Sequence, residues 1–197
     1  APSRVHARTV RAGVAAIATV MLVAGCGSGS SSGTATAPGG VKLVAAGKLT
    51  TCTHLPYAPF QSNEGGKVVG FDIDMIDLVA KKLGVTQTVV DTPFEGIKSG
   101  QDLNTGKCDV AAAGMTIKPE RAKVIDFSVP YFNATQALLI RKGEGYSSLE
   151  SLKGKKLGDQ SGTTGKDYVA SKNPAGVTVT EFEDLATLQQ ALATNQI

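Results

Sequence analysis

The chain has 197 residues, with 20 Lys and Arg against 17 Asp and Glu, and its whole basic surplus sits in Arg4, Arg8 and Arg11. From residue 26 onward there are 17 charges of each sign, so no electrostatic case for nucleic-acid binding exists. Of the 2 histidines, His6 falls in the basic leader and only His54 is left, which argues against Ser–His or Cys–His nucleophilic chemistry.

Residues 1–25 read as an export signal, not as part of a fold. The three arginines form a basic n-region, and Ala12–Val23 is an apolar stretch too short to span a bilayer. Val23-Ala24-Gly25-Cys26 resembles a lipobox, the small-residue site at which bacterial lipoprotein signals are cut. That resemblance implies that Cys26 becomes the mature N-terminus and carries the lipid. The chain opens on Ala1, so its start is expected to lie upstream. Residues 26–40 follow as a Gly- and Ser-rich tether. At roughly 5–6 Å × √n for such coil, it would set the fold about 20 Å from its anchor.

Folded material is expected from Val41. Lys48–His54 reads as a strand, stopped by Pro56 and Pro59, and Gly65-Gly66 as the turn of a small hairpin. Gly70–Leu83 has apolar residues at 71, 75, 76, 78, 79 and 83, a helical stripe ended by Gly84. Asp72, Asp74 and Asp77 resemble a metal cluster only superficially. Positions 72 and 74 point to different sides of a helix, and acids in a first turn suit its dipole, so no metal is expected. Val85–Asp91 is a second strand, followed by a helix running to about Leu103, the turn Asn104–Lys107 and a strand at Cys108–Ala113. Strand, helix, strand, helix, strand is the order of an α/β sandwich with right-handed crossovers.

The stretch Ala111–Phe132 carries the most chemistry. Val110–Ala113 suits a strand buried on both faces, and it breaks at Gly114. Thr116 comes next, then Pro119 and Glu120 where a helix would open, then Arg121. A strand end, free backbone N–H groups, a hydroxyl and an Arg fork make a cradle for a carboxylate. An ordinary strand–turn–helix joint with a solvated Arg fits the same residues. Beyond it lie a strand at Ala134–Arg141, a short capped helix at Ser147–Leu152 and a strand at Gly154–Gly158. The Gly-rich joint Ser161–Gly165, a strand at Val177–Thr180 and a helix at Leu185–Thr194 complete the series.

AGMTIKPERAKVIDFSVPYF, residues 113–132, resembles AGMTITPERxxxxDFSxPY, the central signature of the polar amino-acid family (family 3) of ABC-transporter solute-binding proteins. The match is dense and free of gaps. It implies an α/β fold of two periplasmic-binding-protein-like (type II) lobes joined by a hinge and truncated in the second lobe. Lobe 1 would be 41–135, with the first hinge crossing at Ala134–Arg141, and the incomplete lobe 2 would be 136–197.

The resemblance also implies a site. Leu55–Phe60 matches the end of the family's GTDxxYPPF pattern, which puts Tyr57 on one face of the ligand and Phe94 on the other. His54 stands where the family often has an Asp that touches the ligand's side chain, and Ala58 replaces a Pro. Losing that carboxylate favours an amide, acidic or neutral polar side chain over a cationic one. Gly114, Thr116 and Arg121, with Gly162, Thr163 and Thr164 of the second lobe, would hold the α-carboxylate. The Asp that pairs with the ligand's ammonium group in the family lies beyond the last helix, on a part the chain is expected to lack.

The implied function is capture of a polar amino acid and its delivery to an ABC importer, by a lipoprotein anchored at the extracytoplasmic face of a bacterial envelope membrane. No catalytic residue, metal or cofactor is implied. The alternatives are an enzyme on the same fold, of the cyclohexadienyl dehydratase kind, and a sensor input domain, which the lipobox disfavours. Cys52 and Cys108 lie on strands expected to be neighbours. A disulfide and two buried thiols are both open to them.

Overall fold

A computed structural model describes residues 35–197. The expected signal at 1–25, the lipidated Cys26 and the tether as far as residue 34 lie outside the described residues.

The first half is built on a three-stranded parallel sheet in the order β6–β3–β7. Its centre is β3 (Lys48–Thr53), buried along all but its first residue. On one side β6 (Thr86–Asp91) pairs with it over its full length, from Lys48 opposite Thr86 to Thr53 opposite Asp91. On the other, β7 (Val110–Ala111) sets Thr51 opposite Val110 and Cys52 opposite Ala111. The apolar run Val110–Ala113 therefore contributes a two-residue strand. Thr53 extends its hold by donating to the Ala112 carbonyl at 2.6 Å. Both candidate cysteines fall at this seam and are joined as a disulfide, Cα to Cα 5.7 Å.

Chain entering this sheet is ordered earlier than a tether over 26–40 allows. β1 (Ala35–Thr36) pairs with β2 (Lys42–Leu43), and Ala37 and Leu43 are buried with Leu49 and Ala80 in one apolar cluster. The reason lies in Ala37 and Leu43: both are buried against Leu49 of the central strand and Ala80 of the following helix, a gain that Gly and Ser could not provide. The Gly65-Gly66 turn closes the hairpin of β4 (Ser62–Glu64) and β5 (Lys67–Val69), as expected.

Helix α1 (Phe71–Lys82) occupies the expected span and stops before Gly84, whose φ of +70° suits the end of a helix. Its inward face differs from the expected stripe. Asp72, Ile73 and Ala80 are buried, whereas Phe71, Leu78 and Val79 are exposed. Phe71 packs instead among Phe60, Tyr131 and Phe132 at ring-centroid distances of 6.1–6.2 Å. The single helix expected up to Leu103 is two short ones, α2 (Phe94–Lys98) and α3 (Gln101–Asn104), because Gly100 adopts a left-handed φ of +76° between them.

Two further expectations fail between residues 112 and 149. Pro119–Ile125 forms turns closed by Arg121 and Ala122 amides on the Lys118 carbonyl, and by Val124 and Ile125 amides on the Arg121 carbonyl, not a continuing helix. Ala134–Arg141 is not a strand, since it has no ladder partner among the described residues. After a 3-10 turn at Glu150–Leu152, β8 (Lys156–Gln160) and β9 (Thr178–Phe182) form a second, parallel pair. Helices α4 (Thr164–Lys172) and α5 (Leu185–Ala193) follow these strands in turn. The two parallel sheets, β6–β3–β7 and β8–β9, are linked by 112–149.

Candidate ligand site

Four of the five parallel strands hand their chain to the site at their carboxyl ends, the position where open α/β sheets bind ligands. β3 leads into His54 and Tyr57, β6 into Phe94, β7 into Gly114 and Thr116, and β8 into Gly162–Thr164. Of the nine expected ligand residues, all but Gly162 line one cavity of about 1120 Å³. Gly162 reaches it through Arg121.

Arg121 organises the site. It is 6 % exposed, its Nη1 donates to the Thr116 carbonyl at 2.8 Å, and its Nη2 donates to the Gly162 carbonyl at 2.9 Å. The Phe94 ring lies below, 5.7 Å from the guanidinium carbon. Burial lowers the Arg121 pKa from its ordinary value, opposed by the nearby charges of Asp167 and Glu120. No carboxylate pairs directly with it among the described residues. A guanidinium has five N–H groups, so three remain after the two carbonyls are served, enough for a bidentate carboxylate.

The opposite rim is the first turn of α4. Thr163 caps it, its hydroxyl accepting from the Lys166 amide at 3.3 Å and donating to the Gln160 carbonyl at 2.8 Å. The Thr164 and Gly165 amides open the helix and have no partner within it, which favours an anion there. Thr164 Oγ1 accepts from Gln136 Nε2 at 3.0 Å. Gly162 holds a φ of +69°, a left-handed conformation that favours glycine, beside the Lys98 side chain.

Tyr57 and Phe94 face the same cavity. Tyr57 stacks on Phe60 with centroids 5.2 Å apart, and its Cε1 would lie 2.7 Å from a Cβ at Gly114. Phe94 packs against the cluster of Cys52, Cys108, Ile97 and Ala113, so the disulfide lies behind the aromatic wall. His54 Nδ1 lies 2.9 Å from the Thr92 carbonyl, which fixes the ring.

Four contributors were not expected from the sequence. Asp72, fully buried, accepts from the Gly114 amide at 2.7 Å and the Tyr131 hydroxyl at 3.0 Å, so the α1 first turn fixes the Gly114 turn. The signal for this was present, since 72, 76 and 80 share one helix face. Gln61, buried beside Tyr57, and Gln136 carry no pattern that singles them out. Lys118 pairs with Asp167 of α4 at 2.8 Å, a further tie across the cavity. No group of His, Cys, Asp or Glu suited to a metal ion occurs among the described residues.

A family model of bacterial extracellular solute-binding proteins, family 3, matches residues 49–194. The chain belongs to that family. Its fold is that of the two-lobed type II α/β binding proteins. An ancestral arginine-binding protein bound to arginine superposes with a TM-score of 0.71 at 44% identity, covering 77% of this chain and 67% of that one. Among curated relatives, the arginine-binding extracellular protein ArtP of Bacillus subtilis is 38% identical over 59% of this chain and 45% of its own length. The glutamine-binding protein GlnH of the same organism is 34% identical over 90% of this chain and 67% of its own. The chain spans about half the length of the first two curated relatives it matches, 45% and 56%. No helix among the described residues is long and apolar enough to cross a membrane.

Proposed function

We propose that the protein is an extracytoplasmic receptor that captures a polar amino acid and passes it to an ABC importer, tethered to the membrane through lipid on Cys26. The observation that carries this reading is Arg121: a buried guanidinium, oriented by two carbonyls and an aromatic face, with three N–H groups to spare beside a helix N-terminus. That combination suits an α-carboxylate. Tyr57 and Phe94 wall the space where its side chain would lie, and family members of stated ligand bind arginine, histidine, cystine or glutamine. Closure of the second lobe on the first would add the Thr163 and Thr164 contacts in the bound state.

Calorimetric titration with amino acids, alongside the matching α-carboxamides, tests the ligand assignment. Binding that disappears when the α-carboxylate is replaced by an amide supports it, and equal binding of the two series contradicts it. Replacing Cys26 by Ser tests the anchor: the protein should move from membrane to soluble fractions.

A further inference from the structure

Charge in the second half of the chain is sorted by strand end. Residues 141–197 hold seven basic and seven acidic side chains, so this half is neutral as a whole. At the carboxyl ends of β8 and β9 its acids gather: Asp159, Asp167, Glu181, Glu183 and Asp184, with Lys166 as the one basic residue. The amino ends carry the reverse. Lys153, Lys155 and Lys156 lead into β8, and Lys172 closes α4. Arg141 donates to the Leu192 carbonyl in the last turn of α5 at 2.9 Å, with Lys142 beside it in the chain. Glu144 and Glu150 are the acids this half sets at that end, which leaves a surplus of four positive charges.

The lysines share one surface. The Gly154 amide donates to the Gly176 carbonyl at 2.7 Å and the Lys153 side chain lies against Gly176, so the loops before β8 and β9 meet. Lys155 Nζ stands 5.9 Å from the centre of the Tyr146 ring, and Lys172 Nζ stands 5.4 Å from that of Tyr168. Lys142, Lys153, Lys155, Lys156 and Lys172 are exposed, and none forms an ion pair among the described residues. By contrast, Lys81, Lys98, Lys107, Lys118 and Lys166 each meet a carboxylate. Unneutralised lysines interleaved with tyrosines suit a layer of anionic headgroups. The attraction adds lysine by lysine and fades within about 8–10 Å in physiological salt, and tyrosine sits well at a membrane–water boundary.

Resting on the membrane-side placement proposed above, we propose that the amino end of β8 and β9 is a docking face for anionic membrane lipid. The tether keeps the fold within about 20 Å of the surface. The sorted charge then turns the lysine end toward the headgroups and the acidic end away. From residue 26 onward the chain has no net charge, so the separation of charge, not its sum, supplies the attraction.

Vesicle sedimentation of the whole chain carrying Cys26→Ser, which leaves no lipid to contribute, tests this. Vesicles of phosphatidylglycerol should retain the protein in low salt, vesicles of phosphatidylcholine should not, and about 0.5 M salt should release it. Lys153→Gln, Lys155→Gln and Lys156→Gln together should weaken retention about tenfold or more. The same change at Lys48, Lys67 and Lys123, exposed lysines of the first half, removes equal net charge and should weaken it far less. Lys172→Gln alone should weaken it about fivefold, and decides the matter if thermal melts show the triple variant unfolded. Equal retention by the two lipids, or an equal loss in the two triple variants, overturns the proposal alone. Binding to soluble polyphosphate with none to phosphatidylglycerol assigns the lysines to another polyanion and overturns it too, as does no binding at all. The anchor stands or fails separately, because lipid on Cys26 withstands a high-salt wash of membranes and the lysine contact does not.

Discussion

Arg121 donates to the carbonyl of Gly162 at 2.9 Å, across 41 residues of chain and from the first sheet's loops to the second's. The same guanidinium donates to Thr116 at 2.8 Å, so one side chain spans both halves of the cavity. Lys118 with Asp167 repeats the crossing nearby. An anchor oriented in this way loses little freedom when a carboxylate arrives, which is how preorganisation improves affinity.

Gly114 is expected to tolerate no side chain. Its φ is +56°, and a Cβ would lie 2.7 Å from Tyr57 Cε1. Gly114→Ala should destabilise the fold by about 1–3 kcal/mol through the backbone alone and should displace the Tyr57 ring. Urea denaturation reads the first effect. Tyrosine emission, undisturbed because the chain has 0 tryptophans, reads the second. A variant with unchanged stability and emission would mean that the turn relaxes freely.

Reducing the Cys52–Cys108 disulfide should weaken both fold and site. The bridge closes a sequence separation of 56, for which chain entropy alone gives about 4 kcal/mol. Because Phe94 packs on the same cluster, affinity should fall as well. Denaturation with and without a phosphine reductant, and titration under both conditions, measure the two effects. An unchanged midpoint would contradict the first.

Asp72 should show its burial in the pH dependence of stability. Burial raises its carboxyl above the ordinary 3.8, against the lowering effect of hydrogen bonds from Gly114 and Tyr131. A raised value means that the native state takes up the proton more readily than the unfolded chain. Its contribution is therefore full below 3.8 and is lost as pH rises through the raised value. Relative to Asp72→Asn, wild type should lose stability across that window and then level off. Asp72→Ala, which strips the partner from the Gly114 amide, should cost about 1–3 kcal/mol below pH 3.8 and less above the raised value. A wild-type advantage over Asp72→Asn that grows with pH would reverse the assignment.

Much of this fold was legible because from α1 onward strands alternate with helical segments and the glycines mark their ends: α1 stops before Gly84 and the hairpin turns at Gly65-Gly66. That Gly114, Thr116 and Arg121 share one cavity accords with the dense signature that contains them. What was not legible depended on partners remote in sequence. Ala134–Arg141 has strand-forming residues but no neighbouring strand among the described residues, and propensity alone cannot make a ladder. The order at Ala35–Thr36 depends on Leu43 and Leu49 receiving Ala37, a contact that composition does not announce. The role of Asp72 appears only when Gly114 is brought to it from 42 residues away. Gln61 is likewise an ordinary polar residue until Tyr57 and His54 enclose it.

The most direct measurement is calorimetric titration of Arg121→Ala beside a thermal melt. Removing one partner of a desolvated, hydrogen-bonded charge pair costs about 2–5 kcal/mol. At roughly 1.4 kcal/mol per decade, that weakens amino-acid binding by about 30-fold to several thousand-fold. Stability should fall less, because the guanidinium's protein partners are two neutral carbonyls and no carboxylate pairs with it among the described residues. Loss of binding in a protein that still melts cooperatively near the wild-type temperature is the result expected. Wild-type affinity in a well-folded Arg121→Ala protein would contradict the account.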